Sequence, residues 1–70
     1  MPIYLAPTNI NLRVIKVLTD EKTKKHLESL GITINSSLML ISSNNGGVVI
    51  LVKEGRLALD RNISSKIFVA

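Results

Sequence analysis

The 70-residue sequence predicts a mainly β protein, a small five-stranded barrel with one short α-helix between the first and second strands. Short β-branched and aliphatic runs alternate with tight turns, which is typical of consecutive antiparallel strands. Five such runs are too few for a sandwich, which needs about seven. The composition is 46% hydrophobic but only 3% aromatic, so the core is expected to consist of Leu, Ile and Val. We expect residues 1–70 to form a single domain.

The first strand is predicted over residues 11–18, and a helix follows it. Val14 and Ile15 are adjacent apolar residues that would point to opposite sides of a regular strand, so we expect a bulge there. Thr19 or Asp20 offers a side-chain oxygen to cap a helix over 21–30. Gly31 follows and is expected to end this helix in the left-handed conformation.

The second half of the chain predicts four more strands. The Asn-Gly step within residues 44–47 favours a hairpin between strands 38–42 and 48–53. A tight turn at Glu54 and Gly55 leads into a strand over 56–60, whose residues Leu57 and Leu59 are expected to face inward. A single helical turn over 61–65 and a last strand over 66–69 complete the chain. This element order is typical of an SH3-like barrel, whose closure would remove most of the strand edge.

Composition and charge restrict the environment of the protein. The first seven residues lack the basic start and the long apolar run of a signal peptide. The longest apolar run, over 48–52, is far shorter than the about 20 residues that a membrane-spanning helix needs. We therefore expect a cytoplasmic protein that does not insert into a membrane. The net charge of +4 fits both solubility and attraction to an acidic surface.

The sequence lacks the parts of a catalytic or metal site. It has one histidine and no cysteine, and Glu28, the carboxylate nearest to His26 in sequence, projects to a different side of the helix. We therefore predict no enzyme, no cofactor and no metal site of three or four ligands, while a weak surface site for a transition metal stays open. Solvated pairing with Lys or Arg accounts for the five carboxylates, which are Asp20, Glu21, Glu28, Glu54 and Asp60.

A nucleic-acid-binding barrel stays open as an alternative because of the basic charge. Only Tyr4 and Phe68 are aromatic, and they lie at opposite ends of the chain, so bases would have little on which to stack. Affinity would depend on phosphate contacts.

The two most apolar strands carry more hydrophobic side chains than one interior can hold. Every second side chain of each strand points to the same face and can fill the core, so the side chains between them, on the other face, need a covering. Those side chains, the second apolar phase of the sheet, are Met39, Ile41, Val49 and Leu51. The covering is either the helix with the N-terminal arm over residues 2–7 or another protein, and both remain possible.

Several local motifs together resemble the ferrous iron transport protein A (FeoA) family over nearly the whole chain. They are the run Leu27-Glu28-Ser29-Leu30-Gly31-Ile32-Thr33, the strand Gly55-Arg56-Leu57-Ala58-Leu59 and the terminal Ile67-Phe68-Val69. The family usually has Pro-Gly after the threonine, where this sequence has Ile34-Asn35. Asn35 can take the left-handed position of the glycine.

The resemblance implies an SH3-like barrel in a bacterial cytoplasm that binds or regulates the cytosolic GTPase region of the ferrous iron permease, without catalysis. It also implies a related alternative, a peptide-binding module like the C-terminal domain of iron-dependent repressors. Self-association is a further possibility. On this basis we expect the helix and the outer apolar residues to contact the partner, with Leu27 either a surface anchor or a core residue. The predicted contact residues are Lys22, Lys24, Lys25, Leu27, Leu30, Met39 and Ile41.

Overall fold

The computed structural model describes residues 1–53 and 55–70 and confirms the predicted fold class, a mainly β, SH3-like fold with one sheet. Two helices and one 3₁₀ turn, Ile3–Leu5, accompany the strands. The strands are β1 (Asn11–Val17), β2 (Ser37–Asn44), β3 (Gly47–Val52), β4 (Gly55–Leu59) and β5 (Ile67–Val69), and the helices are α1 (Glu21–Ser29) and α2 (Arg61–Ser64).

The strands form an antiparallel sheet in the order β4-β3-β2-β1-β5. The predicted bulge in β1 is confirmed, because the register with β5 shifts between Val14 and Lys16. Val14 is fully buried, whereas the intervening Ile15 is 41% exposed. A second bulge, which the sequence did not predict, lies at Ile41, where the register with β3 shifts. The sheet curls without a ladder between β4 and β5 in the described part of the chain, so the expected removal of the strand edge by closure does not extend to β4.

The hairpin between β2 and β3 turns at the predicted Asn-Gly step. Asn45 and Gly46 have φ angles of +56° and +86°, and Asn44 pairs with Gly47 across the turn. Two consecutive positive φ angles match the right-handed twist of the flanking strands. In the next predicted turn Glu54 lies outside the described residues, while Gly55 has a φ of +118°.

Helix α1 is capped at both ends. Asp20 is the N-cap, and its Oδ1 accepts a hydrogen bond from the Thr23 N–H at 3.1 Å. At the other end Gly31 has a φ of +95° and its N–H donates to the Glu28 carbonyl at 3.0 Å. The Ile32 N–H donates to the Leu27 carbonyl at 2.9 Å, which completes a Schellman motif. The predicted cap and stop of α1 are therefore confirmed.

The turn after α1 confirms the expectation for Asn35, whose φ is +71°. The Ser36 N–H donates to the Thr33 carbonyl across this turn at 3.0 Å. The Asn35 N–H also donates to the Val14 carbonyl at 2.7 Å. An asparagine in the left-handed conformation thus supplies the turn where the family usually has glycine.

The core lies inside the curled sheet and includes the N-terminal arm and α1. Ile3 of the 3₁₀ turn is fully buried, and the Ser43 hydroxyl donates to the Tyr4 carbonyl at 3.2 Å. The arm therefore forms part of the interior. The buried apolar residues are Ile3, Ala6, Leu12, Val14, Val17, Leu27, Ile32, Leu38, Leu40, Val48, Ile50, Val52, Leu59, Ile67 and Val69.

Candidate partner-binding surface

Among the described residues, strand β4 has a neighbouring strand on one side only. In the two-residue hairpin of β2 and β3, Asn44 and Gly47 form the hydrogen-bonded closing pair. Because hydrogen-bonded and non-bonded pairs alternate along an antiparallel ladder, β3 bonds β4 through Val48 and Ile50. The main-chain groups of Arg56 and Ala58 therefore point away from the sheet, along an open edge.

An apolar groove runs beside this edge, and we call it the β4 groove. Its volume is about 180 Å³, and it lies between the end of α1 and the start of β4. Leu30 and Leu57 are both half-buried, and Leu57 also packs against the core. The residues that line the groove are Leu30, Val52, Gly55, Arg56 and Leu57. The groove is therefore mainly apolar, with one cationic residue in its lining.

The second apolar phase of the sheet forms an outer face that is only partly covered. Leu51 is 40% exposed, and Met39, Ile41 and Val49 are half-buried. Met39 pairs with Leu51 across β2 and β3, and Leu51 pairs with Arg56 across β3 and β4. This row connects the outer apolar face to the β4 groove through Arg56.

The seven predicted contact residues separate into different environments. Leu30 lines the β4 groove, while Met39 and Ile41 belong to the outer face. Lys22 and Lys25 are exposed on α1. Lys24 is half-buried there.

Leu27 is a core residue, so the structure supports the second of the two alternatives left open for it and not the surface anchor. Its side chain is only 1% exposed, because it lies at the position of the Schellman motif that packs against the residue after the glycine. That residue, Ile32, is equally buried. The Leu-x-x-Leu-Gly-Ile pattern carried this signal, since an apolar residue on each side of a helix-ending glycine is typical of the motif.

Two of the acidic residues have structural roles as helix caps. Asp60 Oδ1 accepts a hydrogen bond from the Ile63 N–H at 2.9 Å, as Asp20 does at α1. Hydrogen bonding by Thr23, through its side chain and its N–H, lowers the pKa of the Asp20 carboxyl, and the positive charge of Lys66 adds to this effect.

Among residues 1–53 and 55–70, no three histidine or acidic side chains gather as a metal-binding cluster.

The sequence did not predict the open edge or the groove beside it. Both depend on the order of strands in the sheet and on where α1 comes to lie. The sequence carried two signals, namely Arg56 on the exposed side of the fourth strand and the apolar Leu30 before Gly31. Neither residue by itself indicates which part of the fold lies beside it.

Within the described residues, no helix has the length and apolar character needed to span a bilayer.

The curled five-stranded antiparallel sheet and the helix between β1 and β2 together define a small SH3-like fold. A family model, that of the FeoA domain, matches residues 1–70, so the chain belongs to the FeoA family. The resemblance in the helix-ending and terminal motifs is thereby confirmed. The family is one of small accessory proteins in ferrous iron transport.

Solved structures share this fold, and two of them illustrate the similarity. A crystal structure of an iron uptake regulatory protein (FeoA) is similar with a TM-score of 0.85 and 20% sequence identity, covering 99% of this chain and 93% of that one. A structure of ScaR with bound Zn²⁺ is similar with a TM-score of 0.83 and 14% identity, covering 99% of this chain but 35% of that one. No curated protein gives a significant match in sequence.

Proposed function

We propose that this protein is a cytoplasmic accessory protein that binds the cytosolic GTPase region of the ferrous iron permease. Membership of the FeoA family supports the connection to ferrous iron transport. The observation that carries the docking proposal is the open edge of β4 beside an apolar groove. An unpaired strand edge with an adjacent apolar groove is the arrangement that binds extended peptide segments.

The partner contributes an extended segment that adds to the sheet alongside β4. The N–H and C=O groups of Arg56 and Ala58 form main-chain hydrogen bonds with it. An apolar side chain of the segment enters the β4 groove against Leu30 and Leu57. Main-chain pairing supplies affinity in this mode, and the groove supplies selectivity for the side chain.

Charge favours an acidic partner surface. Arg56 is one of the residues that line the groove, and Lys22 and Lys25 are exposed on the helix whose end also contributes to it. The net charge of +4 adds a long-range attraction to anionic surfaces. Complementary charge of this kind accelerates association more than it strengthens the final complex.

Substitution of Ala58 tests strand addition directly. Proline at this position removes the outward N–H but no hydrogen bond of the ladder with β3, and proline is tolerated on edge strands for that reason. We expect Ala58→Pro to weaken binding to the purified permease region by about tenfold or more. Biolayer interferometry gives the affinity, and thermal unfolding verifies the fold.

Ala58→Thr is the matched control, because it retains the N–H and suits a strand. It is expected to bind as the unsubstituted protein does. Leu30→Gln tests the groove, and Met39→Gln tests the outer apolar face. Equal affinities for Ala58→Pro and Ala58→Thr, with both proteins folded, would contradict strand addition. Sedimentation of the protein alone shows whether a second copy of the chain, instead of the permease region, occupies the edge.

A further inference from the structure

A polar cleft lies at the opposite end of β3 from the β4 groove, and we call it the tip cleft. It occupies about 910 Å³ between the turn of the β2–β3 hairpin, helix α2 and the N-terminal arm. This volume falls within the range of small-molecule sites. The residues that line it are Tyr4, Asn45, Gly46, Arg61, Asn62 and Ser65. Five of the six carry a polar side chain, one is cationic, and none is acidic.

Helix α2 and the hairpin are joined at this cleft by a buried contact. The Ser64 hydroxyl donates a hydrogen bond to the Gly46 carbonyl, and Ser64 is fully buried. This bond fixes the first residue of α2, Arg61, relative to the turn. The hairpin turn and α2, which form two walls of the cleft, are therefore joined by a buried hydrogen bond.

The aliphatic part of Arg61 packs directly on Gly46. A Cβ atom at Gly46 would lie 2.6 Å from Arg61 Cγ and 3.0 Å from Cδ, so only glycine leaves room for this side chain. Arg61 takes part in the side-chain hydrogen bonds only through its main-chain carbonyl, which accepts from the Ser64 hydroxyl at 3.3 Å. Arg61 is an exposed residue, and within the described part of the chain its guanidinium group has no hydrogen-bond partner, although the aliphatic stem packs on Gly46.

We propose that the tip cleft binds the phosphate group of a small molecule, with Arg61 as its principal contact. A guanidinium whose stem is already seated loses less conformational entropy on binding than a mobile one. Its planar donors match the oxygens of a phosphate in pairs. Asn45, Asn62 and Tyr4 also line the cleft and carry amide and hydroxyl donors, a number that suits the three oxygens of a phosphate better than the two of a carboxylate.

The experiment uses the full chain labelled with ¹⁵N and inorganic phosphate as the probe, at constant ionic strength. Saturable shifts are expected at the amides of Gly46, Arg61 and Ser65, with smaller shifts in sodium acetate and none in sodium chloride. Arg61→Gln is expected to weaken phosphate binding by about tenfold or more. Arg56→Gln removes the same charge from the other end of β4 and is expected to leave phosphate binding unchanged.

Several results would overturn the proposal. They are equal shifts with chloride, equal affinity for acetate and phosphate, or equal weakening by the two arginine substitutions, which would indicate a general charge effect. Absence of saturable shifts in the unsubstituted protein would overturn it without any variant. Because the tip cleft and the β4 groove are separate, Arg61→Gln is expected to retain binding to the permease region.

Discussion

At the scale of single residues, Leu27 shows how a helix-ending motif also determines the core. The side chain is 1% exposed, and truncation to alanine leaves a cavity in a domain that has few core residues to spare. We expect Leu27→Ala to lower the free energy of unfolding by about 2–5 kcal/mol. Urea denaturation measures this change, and Leu18→Ala is the control because Leu18 is 53% exposed. A stable Leu27→Ala protein that had lost partner binding would reinstate Leu27 as a surface anchor.

Two glycines with similar backbone angles differ in their surroundings. Gly31 and Gly46 have φ angles of +95° and +86°, so alanine at either is expected to cost about 1–2 kcal/mol in conformational strain. A Cβ at Gly31 meets nothing within 4 Å, whereas one at Gly46 meets the Arg61 stem. We therefore expect only Gly46→Ala to displace Arg61 as well. Urea denaturation measures the strain, and the side-chain Nε–H resonance of Arg61 reports the displacement. An unchanged resonance in Gly46→Ala would contradict the packing argument.

At the scale of elements, the cap of α1 makes stability depend on pH. The pKa of Asp20 is lower in the folded protein than its ordinary value of 3.8, mainly because Thr23 hydrogen-bonds to the carboxylate. The ionised cap thus stabilises the fold above the ordinary pKa, and this contribution is lost as the pH falls through the folded pKa. We expect Asp20→Asn, which retains a capping oxygen, to lose less stability than the unsubstituted protein between about pH 5 and about pH 2. Parallel stability curves for the two proteins would contradict this assignment.

The elements that the sequence predicted are those specified by local chemistry. The Asn-Gly turn, the Asp20 cap and the glycine stop each depend on residues within a few positions of one another. The bulge in β1 was predictable because Val14 and Ile15 break the alternation in the printed sequence. The bulge at Ile41 was not predictable from the sequence. It lies in a run of consecutive apolar residues, which shows no apolar–polar alternation for a bulge to break.

The candidate surfaces were less predictable than the strands that carry them. Whether the last strand closes on β4 or stops at β1 is decided by packing across the whole barrel, so the open edge has no local signal. The tip cleft combines Tyr4 with Arg61, which are far apart in sequence. Leu30 was predicted as a contact residue from its place on the helix, and the structure places it beside β4.

At the scale of the whole molecule, one curled sheet separates three surfaces of different character. The β4 groove and the outer apolar face adjoin each other through Arg56, while the tip cleft lies beyond the other end of β3. The proposed partner site and the proposed phosphate site therefore do not overlap.

The excess of basic residues predicts how the proposed association with the permease region responds to salt. Nine Lys and Arg against five Asp and Glu produce an attraction that acts before contact and is screened by ions. Raising NaCl from about 50 mM to about 500 mM should lower the association rate by about tenfold while the dissociation rate, set by the apolar contacts, changes little. Stopped-flow fluorescence measures both rates, and the double variant Lys22→Glu, Lys25→Glu should flatten the dependence. An insensitive association rate would contradict steering, and tight, salt-sensitive binding to generic oligonucleotides would favour a nucleic-acid partner instead.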